Sequence, residues 1–364
     1  MCPVESNARR REPSSSVSFV VHRSFAWLPA LACPLLFAAA CKAGTTARPE
    51  TLDSQSTPAL AQRTQVSLPA GPFVEILGVA QDAGVPQAGC SSPNCEAARS
   101  DPARVRYATS LALVGTGGET YLFEATPDLR PQLQRTLELG KQRGRAEQGR
   151  KLLDGIFVTH AHMGHYSGLL HLGFEAAHSQ GVPLYASPRM QAFLSENQPW
   201  RQLIELSNVV PSTLNADSAV TLADGVTVRA VTVPHRDELS DTLAWRIEGP
   251  QRTLLFMPDC DPWSRWEKRG FDLDPMLEGV DLFVVDATFY SSEELPGRDL
   301  SKIGHPMVED SLLRLGPRVQ KGGLEVVFIH FNHSNPLLDE ARPEARNLRA
   351  AGFELAERGM QIEL

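Results

Sequence analysis

Short apolar runs recur at close intervals from Val66 to the C-terminus, with turn-forming residues between them. Phe73-Val74-Glu75-Ile76-Leu77-Gly78 reads as a strand, and the Gly/Pro-containing stretch Val79 to Gln87 reads as the loop after it. Ser110 to Val114 and Thr120 to Glu124 predict a hairpin across Gly115-Thr116-Gly117-Gly118. Further strands are predicted at Gly155 to Val158, Leu184 to Ala186, Val226 to Val233, Thr242 to Ile247, Thr253 to Met257, Leu282 to Val285 and Val326 to Ile329. Helical spacing covers Asp128 to Leu139, Pro188 to Glu196, Val308 to Leu315 and Pro336 to Ala351, whereas Gly140 to Arg150 is basic and Gly-interrupted and reads as a surface excursion. Strands alternating with helices and no long linker predict a single domain of class α/β (α+β) over residues 66–364.

The first forty residues break this pattern. Arg9, Arg10, Arg11 and Arg23 precede an apolar run from Phe25 to Ala40, and the run ends in Ala38-Ala39-Ala40-Cys41. A basic start, an apolar middle and small residues at the end predict a signal peptide over residues 1–41. With Pro29 and Pro34 inside it, the run is short and broken for a spanning helix. Ala-Ala-Ala-Cys also resembles a bacterial lipobox, which implies lipidation of Cys41 and a membrane partner through that anchor, on the periplasmic face of a bacterial membrane. A soluble periplasmic or secreted protein is the alternative. Residues 42–65, rich in Thr, Ser, Pro, Gln and Ala, predict a disordered tether.

Composition sets the remaining bounds. An apolar fraction of 42% and a charged fraction of 21% suit a globular core. The formal charge of −8 gives no reason to expect a nucleic-acid partner. Of six cysteines, Cys2, Cys33 and Cys41 fall in the leader, leaving Cys90, Cys95 and Cys260. Cys90 and Cys95 are candidates for a disulfide or for a shared structural zinc.

Candidate chemistry centres on Thr159-His160-Ala161-His162-Met163-Gly164-His165, which follows the apolar Gly155-Ile156-Phe157-Val158. Three imidazoles where a buried strand gives way to a loop are a metal-binding pattern. His235, Asp259 and His330 each close a later apolar run, as further ligands should.

This run resembles the His-x-His-x-Asp-His signature of metallo-β-lactamase fold hydrolases, and the likeness extends over roughly Val66 to Leu364. The resemblance implies an αββα sandwich with the metal site at one edge between two sheets. It also implies that His160, His162 and His235 hold one metal, that His165 and His330 serve a second, and that Asp259 is shared. Gly164 stands where the family carries Asp, so the expectation is one tightly held metal and a second that is weak, absent, or completed by water or another side chain. Neutral imidazoles at about 2.0–2.1 Å leave a dication acidic enough to bring water towards pKa ~7, making a metal hydroxide the expected nucleophile. Zn2+ is the expected metal, with Fe or Mn as alternatives.

His305, in Ile303-Gly304-His305-Pro306, resembles a Gly-His stretch of ribonuclease Z-like relatives, and His333 lies three residues past His330. With Asp259 they are the candidate catalytic groups, the two histidines placed to protonate a leaving group or bind an anionic oxygen. Each histidine has a bland alternative as a surface or supporting residue.

A narrower likeness rests on Gly84-Val85-Pro86-Gln87, Cys90-Ser91-Ser92-Pro93-Asn94-Cys95, Ala125 to Arg130, Asp286-Ala287-Thr288-Phe289, His330 to Pro336 and Gly359 to Leu364. These segments resemble the pyrroloquinoline quinone biosynthesis B family. That family's Cys-x-Cys-x-x-Cys knuckle is reduced here to Cys90 and Cys95, and its metal loop is poorer in histidine. The expected function is therefore a metallo-hydrolase acting on a small-molecule ester, lactone or phosphodiester. The alternatives are an iron-dependent step of quinone biosynthesis and non-enzymatic binding or transport of the quinone. Substrate choice would depend on loops such as Gly140 to Arg150 and Asp261 to Asp274, and Trp263 and Trp266 of the latter read slightly better as core than as pocket.

Overall fold

The computed structural model describes residues 67–364. The expected signal peptide, the lipidation site Cys41 and the tether lie outside the described residues. Within the described part, fourteen strands form two seven-stranded sheets. In chain order they are β1 (Phe73–Gly78), β2 (Ser110–Val114), β3 (Thr120–Phe123), β4 (Gly155–Phe157), β5 (Val182–Ala186), β6 (Val209–Thr213), β7 (Ala219–Thr221), β8 (Thr227–Val233), β9 (Thr242–Glu248), β10 (Thr253–Met257), β11 (Leu282–Asp286), β12 (Glu325–Ile329), β13 (Glu354–Leu355) and β14 (Gln361–Glu363).

One sheet runs β14-β1-β2-β3-β4-β5-β6 and the other β13-β12-β11-β10-β9-β8-β7. In the first, pairing is antiparallel from β14 to β3 and parallel from β3 to β6. The second repeats this plan, antiparallel from β7 to β10 and parallel from β10 to β13. Two similar halves thus exist in space although no sequence repeat announces them.

Alternation along β1 explains the layering. Val74 and Ile76 enter the apolar cluster between the sheets with Phe157, Trp245 and Phe256. Phe73 and Leu77 pack on the opposite face, against Leu129 and Leu133. Those two leucines belong to α2 (Leu129–Gln142), which follows α1 (Pro93–Ser100) in the chain. Strands covered on both faces read as unbroken apolar runs, which is why they were legible. Leu315 and Leu348, from helices Val308–Lys321 and Pro343–Ala350, join the cluster of the second sheet. Helix, sheet, sheet and helix make the expected αββα sandwich.

Several boundaries differ from the sequence expectation, and the helix expected over Val308 to Leu315 runs on to Lys321. α2 continues three residues past Leu139, into the supposed excursion, because Leu139 and Gly140 are buried. The Pro336 to Ala351 stretch divides into a short 3-10 turn, Pro336–Leu338, and helix Pro343–Ala350, since Asp339 is extended and Pro343 starts the helix. Trp266 is only 3% exposed and sits in the core, while Trp263 packs beside it and donates Nε1–H to Ser311 Oγ at 2.9 Å.

Candidate metal centre

The end of β4 is fixed by aromatic packing. The Phe157 ring stacks on Phe123 at 4.8 Å and on Tyr185 at 4.5 Å, and meets Trp245 edge-on at 5.2 Å. Past it the chain leaves the sheet and is held by backbone bonds. Thr159 O accepts from Leu243 N at 3.1 Å, and Ala161 N donates to Ser240 Oγ at 2.9 Å. A single helical turn, α3 (Met163–Tyr166), then aims His165 inward, and His165 O accepts from Ala125 N at 2.8 Å. His235 follows β8, Asp259 follows β10 and His330 follows β12.

All six predicted groups meet. His160, His162 and His235 form one set, with His160 Nε2 2.8 Å from His162 Nδ1. His235 stands edge-on to both rings, at centroid distances of 5.2 and 5.1 Å. Asp259 lies between this set and the next: its Oδ1 is 3.8 Å from His235 Nε2, and its Oδ2 is 2.8 Å from His165 Nε2 and 3.5 Å from His330 Nε2.

Two carboxylates that the sequence reading missed complete the centre. Asp82, from the loop after β1, places Oδ1 3.3 Å from His165 Nε2 and 3.8 Å from His330 Nε2. Glu124, fully buried at the end of β3 with φ of 74°, sits 3.4 Å behind His165 Nδ1. A Cβ added at Gly164 would lie 2.0 Å from Asp82 Oδ1, so the Asp82 carboxylate fills the space that a side chain at Gly164 would take. The strand-then-loop pattern gave no sign of Asp82, because Gln81-Asp82-Ala83-Gly84 is an ordinary turn sequence.

Electrostatics separate the groups. Burial holds His160 and His235 well below the ordinary imidazole value and lowers His162 as well. Neutral imidazoles are the form that binds metal. Burial also opposes charge on His165, but the carboxylates of Asp259 and Glu124 outweigh it and hold that ring well above its usual value. Asp259 and Asp82 stay well below the carboxylate range: burial pushes both up, and the neighbouring histidines overcome it.

Asp82 Oδ1, Asp259 Oδ2 and His330 Nε2 are buried and, apart from their contacts with His165 and with one another, have no hydrogen-bond partner. Leaving such atoms unpaired costs about 1–3 kcal/mol each. A divalent cation would satisfy all three, so the residues fit the metal that the resemblance implies.

His305 is set beside this centre, its Nδ1 3.4 Å from Asp259 Oδ1 and 2.8 Å from Asp286 Oδ2. Although it is buried, Asp286 raises its pKa to about 9. Asp286 Oδ1 also accepts from Thr288 Oγ1 at 2.7 Å, and that hydroxyl lies 3.0 Å from His330 Nδ1. His333 is placed differently. Its Nδ1 is 3.2 Å from Cys90 Sγ, and it groups with Cys90 and Cys95, both free thiols, in a separate cluster of metal-ligand type. A cleft of about 460 Å³, lined by Gln81, Asp82, Phe289, Leu295, Arg298 and His333, opens beside the centre.

Known proteins resemble this arrangement. A family model described as a beta-lactamase superfamily domain matches residues 119–331. Coenzyme PQQ synthesis protein B of Cupriavidus necator is 28% identical over 322 residues, covering 80% of this chain and 99% of that protein. Its counterpart in Xanthomonas campestris pv. campestris is 26% identical over 310 residues, covering 79% and 99%. Among solved structures, Zn(2+)-bound PqqB from Methylobacterium extorquens aligns with a TM-score of 0.67 at 24% identity, over 80% of this chain and 100% of that one. A diphosphatase from the PhnP family aligns at 0.55 and 22% identity, over 80% and 97%. These structures share the fold.

Proposed function

This chain belongs to the beta-lactamase superfamily, and from that premise we propose that it is a metal-dependent hydrolase of a small-molecule ester, lactone or phosphodiester. The observation that carries the reading is Asp259, whose two oxygens face different imidazole sets, Oδ1 towards His235 and Oδ2 towards His165 and His330. His160, His162 and His235 would hold one dication, with Asp259 shared towards His165 and His330. Imidazole-rich sites favour zinc over Mg2+ or Ca2+. The chemistry such a dication supplies is Lewis acidity, which polarises a substrate oxygen and makes water nucleophilic near neutral pH.

The remaining roles belong to the chain itself. Burial keeps His160, His162 and His235 neutral, so their lone pairs are available. Thr159 Oγ1, 2.8 Å from His160 Nδ1, and Thr288 Oγ1 behind His330 fix two rings by their far nitrogens. His305, kept protonated by Asp286, carries a proton to hand to a leaving oxygen. The cleft has the volume of a small-molecule site, with Phe289 and Leu295 for an apolar body and Arg298 for an anionic group.

A panel of chromogenic esters, lactones and phosphodiesters tests this reading. The zinc-loaded chain should turn over at least one class, and H160A and H235A should abolish that turnover. No turnover across the panel would count against it. The PQQ synthesis relatives support a second reading, a metal-dependent step in making that quinone, which predicts turnover of a quinone precursor and none across the hydrolase panel. The leader supports export and a lipid anchor at Cys41. C41S should release the protein from membranes, and a variant that stays membrane-bound would contradict the anchor.

A further inference from the structure

We propose that Asp82 is the third donor of a second cation site, replacing the carboxylate that this chain lacks at Gly164, so that the protein holds two divalent ions. The proposal rests on the hydrolase reading for the first ion and goes beyond it in the count and in the residue that secures the second.

Position is the first argument. Asp82, His165 and His330 present one ligand atom each, all within 4.8 Å of one another. Asp259 Oδ2 lies on the same side, 2.8 Å from His165 Nε2 and 3.5 Å from His330 Nε2. Two imidazoles and two carboxylates then surround one point, a complete four-donor set for zinc.

The second argument is exclusion. A side chain at Gly164 would overlap Asp82, its Cβ lying 2.0 Å from Oδ1 and 2.6 Å from Asp82 Cα. The loop after β1, as it lies here, therefore excludes any side chain at Gly164. A carboxylate reaches this spot either from the helical turn or from the loop after β1, and here it comes from the loop.

Rigidity is the third. The Asp82 loop is tied to the residue next to His330: Gln81 N donates to Phe331 O and Phe331 N donates to Val79 O, each at 2.9 Å. Gly84 N closes the turn on Gln81 O at 2.8 Å. Two of the donors thus move as one unit. The Asp82 side chain is 42% exposed, yet Oδ1 itself is buried and, apart from its contacts with His165 and His330, without a hydrogen-bond partner. A surface ion pair would leave that oxygen to water. A ligand oxygen is turned inward in this way.

The test is elemental analysis of the full chain after zinc loading and gel filtration. Wild type should retain two equivalents and D82A one. D82N, which keeps the volume of the side chain and removes its charge, should likewise retain one, and G164D should lose the second ion through collision with the Asp82 loop. Cobalt gives an independent readout: visible absorption should grow through two equivalents in wild type and stop after one in D82A. Equal counts in wild type and D82A, whether one or two, would overturn the Asp82 assignment and leave the hydrolase reading standing. If D82A does not fold, D82N decides, since two equivalents there overturn the proposal. Absence of metal from wild type would overturn both.

Discussion

His305 Nδ1 lies 2.8 Å from the Oδ2 of Asp286, a carboxylate with no exposed surface that also accepts from the backbone amides of Cys260 and Thr288. Asp286 is therefore fixed before His305 arrives, and the imidazole it pairs with is held protonated beside Asp259. If His305 delivers a proton to the leaving group, its value depends on how poor that group is. H305A should lower kcat by about 10²–10⁴-fold for alkyl leaving groups and far less for p-nitrophenolate, which departs without protonation. An equal loss on both substrates would assign His305 a supporting role.

Aromatic packing at the end of β4 sets where the His160 loop begins. Phe157 is fully buried among Phe123, Tyr185 and Trp245. Phe157→Ala should cost about 3–5 kcal/mol of stability and also weaken zinc binding, because His160 is three residues on. Denaturant unfolding and competitive zinc titration read the two effects. Lost stability with unchanged zinc affinity would mean that the loop is held by Ser240 and Leu243 alone.

Gly168 sits where the turn after α3 crosses the segment leading into α2. A Cβ there would lie 1.9 Å from Thr126 O and 2.8 Å from Leu129 Cβ. Gly168→Ala must push α3 and its His165 away, so it should destabilise the protein by about 1–3 kcal/mol and lower metal content. Gly181→Ala, at φ 70° with nothing near its Cβ, should strain the backbone and leave metal content intact. Identical metal loss in both variants would refute the local explanation.

Thiol chemistry separates the three cysteines of the described part. Cys90 is half-buried, and although burial raises its thiol, hydrogen bonds from Ser92 bring it below the ordinary value. Burial raises Cys95 and, much more strongly, Cys260. In metal-stripped protein a thiol reagent at neutral pH should label Cys90 first, as peptide mapping would show. Faster labelling of Cys260 would contradict this order.

Much of the centre was legible because its residues close buried strands. His160, His235, Asp259 and His330 each follow an apolar run, and the family resemblance assigned them to metal sets. Asp82 was not legible, since its role depends on a space left by Gly164, 82 residues further on, that no local pattern records. Glu124 was read as the end of a strand for the same reason: its contact with His165 is made across the fold. Strands β6 and β7 escaped notice because they are short and largely exposed, and β13 and β14 because they have only two and three residues. Such edges carry little of the alternation that marks a strand.

Removal and return of the metal tests the central claim most directly. Chelator treatment should abolish hydrolysis of whichever substrate class is turned over and lower the melting temperature, because a ligand that binds only the folded chain stabilises it. Zinc added back should restore both, with turnover rising through the second equivalent. Undiminished hydrolysis by protein shown to be metal-free would contradict the account.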